Sequence, residues 1–417
     1  MPIEQNKLAI HGGKPAKTVP YAKGIRFGKA EEEAAVAAIR SQKLWYKQGG
    51  TRVLAVEKTI CEMMGAPHAI VCSSGTAAVH MAVIMCGVEA ADEVILNPVT
   101  DWGSICGVLA AGAVPVFADI RPDTLSLDPE SVAKAFTRHT RAILLVHMAG
   151  YPAHVKEIVA LAKERGVRVI EDCAQSPMAL LDGRPVGTLG DVGAFSTNDS
   201  KHVSCGEGGF VVTADAEMAR VGRLFIDKAY ERNKARGETD VTFLGFNYRM
   251  SELSAAVLDV QLRGLEEQIG RRTEYAERLT AGLEGLEGLK VLKPLEGARG
   301  AYWFVLSCLE PQRLSADRAT IGAALAAEGV AVWAALAPAS SLYSTTALRE
   351  GRLYPYGRTA PAASLRSREY RPGLCPMAEK VAANVLSFLV NPFYTQQDAE
   401  ETAIGVRKVL EYYRIRP

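Results

Sequence analysis

Short apolar runs alternate with helix-patterned segments through the first two-thirds of the chain, and this alternation restricts the fold more than any other feature. The runs are Ala69 to Ser73, Glu93 to Asn97, Val114 to Asp119, Ala142 to His147, Arg168 to Asp172, Val192 to Ser196 and Gly209 to Thr213. Each is rich in Val, Ile, Leu or Phe and too short for a stable helix. Helical patterns lie between several of them, at Thr76 to Met85, Ser104 to Ala111, Pro129 to Phe136 and His154 to Arg165. Such alternation predicts an α/β fold with a mainly parallel, seven-stranded sheet covered on both faces. Ligands of such sheets collect at the carboxyl ends of the strands.

A chain of 417 residues exceeds what one core usually serves, so two domains are expected. A long helical stretch from Ser251 to about Leu283 reads as the connector. From about Gly288 the pattern becomes a smaller α+β unit. It has strands at Tyr302 to Cys308 and Val330 to Ala335, with a helix at Ser315 to Gly329 between them. Ser315 is the expected N-cap and Gly329 the stop. Ser340 to Pro376 is expected to loop over the surface, and Gln396 to Tyr413 to close the chain as a helix. The division drawn is 1–265 for the large domain with its N-terminal segment and 266–417 for the small one.

The formal net charge of +1 gives no electrostatic reason to expect nucleic acid or an anionic membrane as partner. Met1 to Lys17 lacks the apolar core of a signal peptide, and no stretch is apolar for long enough to span a bilayer. The eight cysteines are scattered without a CxxC pair, which reads as reduced thiols in a cytoplasmic protein with no structural metal.

Several segments carry chemistry. Ser73-Ser74-Gly75-Thr76 lies where a strand gives way to a helix, and a helix start with its free amides suits a phosphate. The plain alternative is an N-cap. Val169 to Gln175 is a buried strand ending in two acids. Asp172 beside a pyridine nitrogen would keep that nitrogen protonated, which is what a pyridoxal electron sink needs; it could equally cap a helix or bind a metal. In Phe195 to Gly209, a polar loop holds Lys201 ahead of a Gly-rich turn. A lysine in a site can lose its proton and attack an aldehyde, whereas most loop lysines are solvated charges. The hydroxyls of Ser196 and Ser200 suit a phosphate. Asp172, Lys201 and Gly75 all follow strands whose ends share one rim of a parallel sheet, so phosphate seat, ring-nitrogen partner and amine meet there. Trp102 could stack on a flat ring or pack in the core. Asn247 and Arg249, in the turn before the long helix, are by default surface residues.

Together and in this order, these segments resemble the DegT/DnrJ/EryC1/StrS aminotransferases, of the fold-type-I pyridoxal-phosphate enzymes. The most specific matches are Ser74-Gly75-Thr76, Glu171-Asp172-Cys173-Ala174-Gln175, Ser200-Lys201 followed by Gly206-Glu207-Gly208-Gly209, and Asn247-Tyr248-Arg249-Met250. The resemblance implies pyridoxal 5'-phosphate as cofactor and catalysis by Lys201, the Schiff-base lysine, with Asp172 on the pyridine nitrogen. It implies that Gly75, Thr76 and Ser196 hold the phosphate, Trp102 stacks on the ring and Gln175 lies near its hydroxyl. It also implies that Asn247 reaches the phosphate in a neighbouring subunit, so that a homodimer shares its active sites. Some relatives carry histidine at the lysine position and dehydrate sugars; Lys201 here favours transamination. The implied reaction moves an amino group from glutamate or glutamine to a keto-sugar or keto-cyclitol in natural-product biosynthesis. The alternatives are a dehydratase or aromatising lyase on the same scaffold, or a non-enzymatic cofactor-binding regulator.

Overall fold

The computed structural model describes residues 7–233, 237–336, 341–356 and 369–416. The main sheet contains β1 (His68–Cys72), β2 (Glu93–Leu96), β3 (Val114–Phe117), β4 (Thr140–Val146) and β5 (Arg168–Asp172). After a small hairpin of β6 (Leu180–Leu181) and β7 (Arg184–Pro185) come β8 (Val192–Ser196) and β9 (Gly209–Thr213). The strand order is β1-β9-β8-β5-β4-β2-β3. β2, β3, β4, β5 and β8 run parallel, while β9 is antiparallel to both β1 and β8. The two reversals cancel. β1 therefore runs with β8 and β5, and the carboxyl ends at Cys72, Asp172 and Ser196 point to one edge.

Helices cover both faces, so the strands are buried almost end to end, as in β2, β3 and β8. Successive side chains of a strand serve opposite faces: Ile70 joins one hydrophobic core and Val71 another. The helix that follows β1, Gly75–Met85, is buried at Ala77 through Val83 and at Met85, on all its sides. A helix apolar all round belongs inside a core, which fixes its first turn rigidly at the sheet edge.

The expected connector is two helices, Glu252–Arg263 and Leu265–Gly282, interrupted at Gly264. Beyond it, a four-stranded sheet contains β12 (Leu289–Val291), β14 (Phe304–Leu309), β16 (Val385–Leu389) and β15 (Val332–Trp333), in that order. β13 (Ala298–Arg299) pairs with β6, and the exposed hairpin of β10 (Tyr230–Asn233) and β11 (Glu238–Val241) lies apart. The helix Arg318–Ala327 is capped by Asp317, whose carboxylate accepts the Thr320 amide at 2.8 Å, rather than by Ser315. The Ser315 hydroxyl instead donates to the Tyr413 carbonyl. In the segment expected to loop over the surface, residues 340 and 357–368 lie outside the described residues. Ser341, Leu342, Tyr343, Leu348 and Tyr370 are buried, and Tyr370 donates to the Pro115 carbonyl at 2.8 Å, so these parts pack inward.

The N-terminal segment is tied to the far end of the chain. The Ala9 and Ala16 amides donate to Glu328, and Lys17 pairs with Asp398 at 2.6 Å. No described helix is long and apolar enough to cross a membrane.

Candidate active site

A cavity of about 270 Å³ opens at the edge where β1, β5 and β8 end, and Gly75, Thr76, Asp172, Gln175, Ser196 and Lys201 all line it. Each arrives there for a local reason. Ser74 leaves β1 in extended conformation, and its hydroxyl accepts the Ala77 amide, which starts the buried helix at Gly75. The first amides of that helix have no intrahelical acceptor, and they face the end of β8. The approach is tight. A Cβ on Gly75 would lie 2.6 Å from Ser196 Cβ and 2.8 Å from its Oγ. Only glycine lets the helix start and the Ser196 hydroxyl share one small cradle.

The two acids ending β5 point to opposite faces and do different work. Glu171 accepts from His147 Nε2 at 2.9 Å and from the amides of Gly187, Leu189 and Gly190. Burial alone would raise its pKa, yet His147 and the amides hold it below the usual carboxylate range. The other His147 nitrogen, Nδ1, accepts the Ala153 amide at 3.0 Å, so the proton sits on Nε2 and points at Glu171. His147, Glu171 and Cys173 cluster closely, but this donor pattern leaves the imidazole without a lone pair for a metal.

Asp172 faces the cavity and is 3% exposed. It accepts the Ser104 hydroxyl at 2.7 Å and the Ala174 amide at 3.0 Å. Burial nevertheless pushes its pKa up, against the pull of these bonds and of Lys201. Lys201 shows the converse: burial lowers its pKa, opposed by Asp172 and Asp101. A buried carboxyl with a raised pKa is short of positive charge, and a buried amine with a lowered one is ready to act as nucleophile or base. Gln175 is fixed by the Ala149 amide, which donates to its Oε1 at 2.7 Å.

Two expected site residues stand apart. Trp102 is half-buried against the main core, while the next residues, Gly103 and Ser104, line the cavity. Asn247 is exposed, and its backbone is bridged to Asp227. Three residues that local sequence did not single out belong to the site. Ser104 holds Asp172. Arg26 donates to the main-chain carbonyls of Asp199 and Lys201. Trp303 lines the cavity, and its Nε1 donates to the Ser200 carbonyl at 3.1 Å. Their partners lie 68, 173 and 103 residues away respectively, and no motif or period marks such contacts.

The cradle, the carboxyl and the amine fit the cofactor that the sequence resemblance implies. The cradle at Gly75 and Ser196 suits its phosphate. Asp172 is the acid that a protonated ring nitrogen would keep ionised, and Lys201 is the amine to meet its aldehyde.

Comparison with known proteins points the same way. Residues 27–403 match the family model described as the DegT/DnrJ/EryC1/StrS aminotransferase family. An L-glutamine:2-deoxy-scyllo-inosose aminotransferase of Streptomyces kanamyceticus is 35% identical over 341 residues, covering 79% of this chain and 80% of that protein. A protein of the same name from Streptoalloteichus tenebrarius is 31% identical over 436 residues, 99% of each chain. Among solved structures, an aminotransferase from Psychrobacter cryohalolentis superposes with a TM-score of 0.83 at 27% identity, covering 94% of this chain and 100% of that one.

Proposed function

Since the chain belongs to the DegT/DnrJ/EryC1/StrS aminotransferase family, we propose that it transfers the amino group of glutamine or glutamate to a keto-cyclitol, with keto-sugars as the wider acceptor class. The enzyme is a pyridoxal-phosphate-dependent aminotransferase. The names of the relatives from S. kanamyceticus and S. tenebrarius support glutamine as donor and a scyllo-inosose as acceptor. The observation that carries the reading is the meeting of Lys201, Asp172 and the Gly75 helix start in one cavity.

In this reading the amides of Gly75 and Thr76, with the Ser196 hydroxyl, hold the phosphate. Asp172 would hold the ring nitrogen, Gln175 would face the ring hydroxyl, and Trp102, outside the cavity but next to its lining residues Gly103 and Ser104, would turn to stack on the ring. When bound, the cofactor supplies an aldehyde for amine exchange and an electron sink for the carbon that loses its proton. The protein supplies the rest. Ser104 and the Ala174 amide orient Asp172 and oppose its protonation. Burial lowers the Lys201 pKa and so favours the neutral amine, in which form Nζ can take the proton from the donor's α-carbon and later return one to the acceptor carbon. Asn247 completes the phosphate seat of a second copy, making a homodimer the working unit. The eight free thiols suit a reducing compartment and a cytoplasmic enzyme.

The test is a panel of keto-cyclitols and keto-sugars offered to enzyme pre-loaded with amine from glutamine. Return of the aldehyde absorbance with a scyllo-inosose supports the assignment. Response to none of the ketones, or α-proton exchange without amine transfer, refutes it.

A further inference from the structure

One contact in the cavity has no part in the cycle described above. The Lys201 Nζ lies 3.9 Å from the centre of the Trp303 ring. That separation is within the range of a cation–π contact. The same indole donates through Nε1 to the Ser200 carbonyl, the residue before the lysine. Trp303 thus holds the lysine at both ends, by its backbone neighbour and by its amine.

Trp303 is itself well anchored. Its amide donates to the Ala149 carbonyl at 2.8 Å, and the Ala301 amide donates to the Gly150 carbonyl at 2.8 Å. Gly150 is required for this approach: a Cβ there would lie 2.5 Å from the Tyr302 nitrogen. Its carbonyl-bearing neighbour Ala149 is the residue whose amide fixes Gln175. The indole is therefore mounted on the same short turn that positions the cavity floor, and it packs on Phe304 with ring centres 4.5 Å apart.

We propose that Trp303 is a positioning residue for Lys201: its indole face receives the lysine amine whenever that amine is unbonded and protonated, keeping it at the cavity. The inference rests on the reading of Lys201 given above. Transamination needs this, because the amine must leave its carbon partner, carry a proton and stay within reach of the reacting carbon. A long, flexible side chain with a charged end would otherwise turn to solvent. Asp101, Asp172, Glu207, Arg26 and its ion-pair partner Asp199 are charged groups around the amine and its backbone, and the adjoining His202 is buried with its pKa pushed well down. The indole adds attraction for the ammonium without adding a charge that would compete with Asp172 for the ring nitrogen.

The experiment uses the full-length chain carrying 5-fluorotryptophan and freed of cofactor, followed by fluorine NMR over about pH 6 to about pH 11 to bracket a lysine titration. The sequence has four tryptophans, so Trp303→Phe assigns the signal. The Trp303 resonance is expected to titrate with one midpoint and to become flat in Lys201→Met. In parallel, the pH profile of Lys201 labelling, read on its own peptide, is expected to shift down by roughly 0.5–1 unit in Trp303→Leu and to stay near wild type in Trp303→Phe, which keeps the ring face. Thermal melting establishes that each variant is folded, and if Trp303→Leu is not, the wild-type fluorine titration decides. A flat Trp303 signal, a titration that survives Lys201→Met, or an equal shift in both Trp303 variants overturns the proposal. Failure of the underlying reading shows separately, as a borohydride-trapped cofactor tag on a peptide lacking Lys201.

Discussion

Arg26 donates from one guanidinium nitrogen to the carbonyl of Lys201 and from the other to the carbonyl of Asp199. With Trp303 on Ser200, three consecutive carbonyls of the lysine loop are held by side chains from distant parts of the chain. The loop itself contributes tight local bonds, such as the Lys201 amide to the Asn198 carbonyl at 2.9 Å, and one distant contact, His202 Nε2 with the Ala301 carbonyl at 3.0 Å. Arg26 sits on the N-terminal segment, so this segment reaches the loop that carries Lys201.

Replacing Arg26 by Leu removes two bonds to a charged donor, each worth about 1.5–3 kcal/mol. Part of that loss falls on the ordering of Lys201, so kcat/KM for the amino donor is expected to drop roughly tenfold to a hundredfold. Arg26→Lys, which can keep only one bond at a time, should fall between. Steady-state kinetics on both variants checks this, and an unchanged kcat/KM in Arg26→Leu would remove the loop-holding role.

Gly75→Ala tests the cradle. The added methyl meets Ser196 at 2.6 Å, a distance that forces the helix start and the strand end apart. Cofactor affinity is expected to weaken by at least about tenfold, with the melting temperature of the cofactor-free chain little changed by comparison. Absorbance titration with pyridoxal phosphate measures the first quantity and calorimetry the second.

The Asp172 carboxyl is pushed up by burial. A carboxyl whose folded pKa lies above its unfolded one favours the fold below the unfolded value. That contribution is lost as pH rises through the folded value. At neutral pH, ionised Asp172 therefore costs stability in the cofactor-free chain. Asp172→Asn is expected to raise the cofactor-free melting temperature by about 1–2 °C at neutral pH while lowering transamination by more than about a thousandfold. Ser104→Ala should act in the other sense on Asp172, pushing its carboxyl further up and weakening cofactor binding. A destabilised Asp172→Asn chain would count against this account.

His80 is 4% exposed, with Nδ1 3.2 Å from the Tyr248 hydroxyl and its ring among Phe225 and Phe246. Burial lowers its pKa from 6.5 to about 4. A histidine with a depressed folded pKa contributes stability above the unfolded value, and this is lost as pH falls from 6.5 towards 4. The urea midpoint is expected to decline across that window, and less steeply in His80→Gln. His202, also buried and shifted down, keeps some of the slope in the variant.

Mixing inactive Lys201→Ala and Asn247→Ala chains probes the shared site. If Asn247 serves the neighbouring subunit, mixed dimers contain one site with both residues intact, and up to about a quarter of the wild-type activity per chain is expected to return. No recovery after subunit exchange would place Asn247 in its own subunit's machinery or outside it.

Much of this was legible locally. Residues Arg168 to Asp172, Val192 to Ser196 and Gly209 to Thr213 are strands with the boundaries read from their apolar runs. Such runs are bounded by turn chemistry and have no other way to be buried. The helix start at Gly75, the acid ending β5 and the lysine loop after β8 were visible for the same reason: each is a strand end followed by polar residues. Helix breaks and caps were less so. Gly264 interrupts a pattern that is apolar on both sides, and Asp317 competes with Ser315 two residues away for the same role.

By itself the sequence determined which strands form, which residues end them and which chemical groups those ends carry, because neighbours along the chain decide these. Only the tertiary structure decided that an antiparallel β9 lies between β1 and β8 while leaving their ends on one edge. It alone brought Ser104 to Asp172 and set Arg26 and Trp303 on the Lys201 loop. Those contacts join residues far apart in the chain. The bonds from Arg26 and Trp303 end on backbone carbonyls, which demand no particular residue at the receiving end, so nothing in the order of amino acids records them.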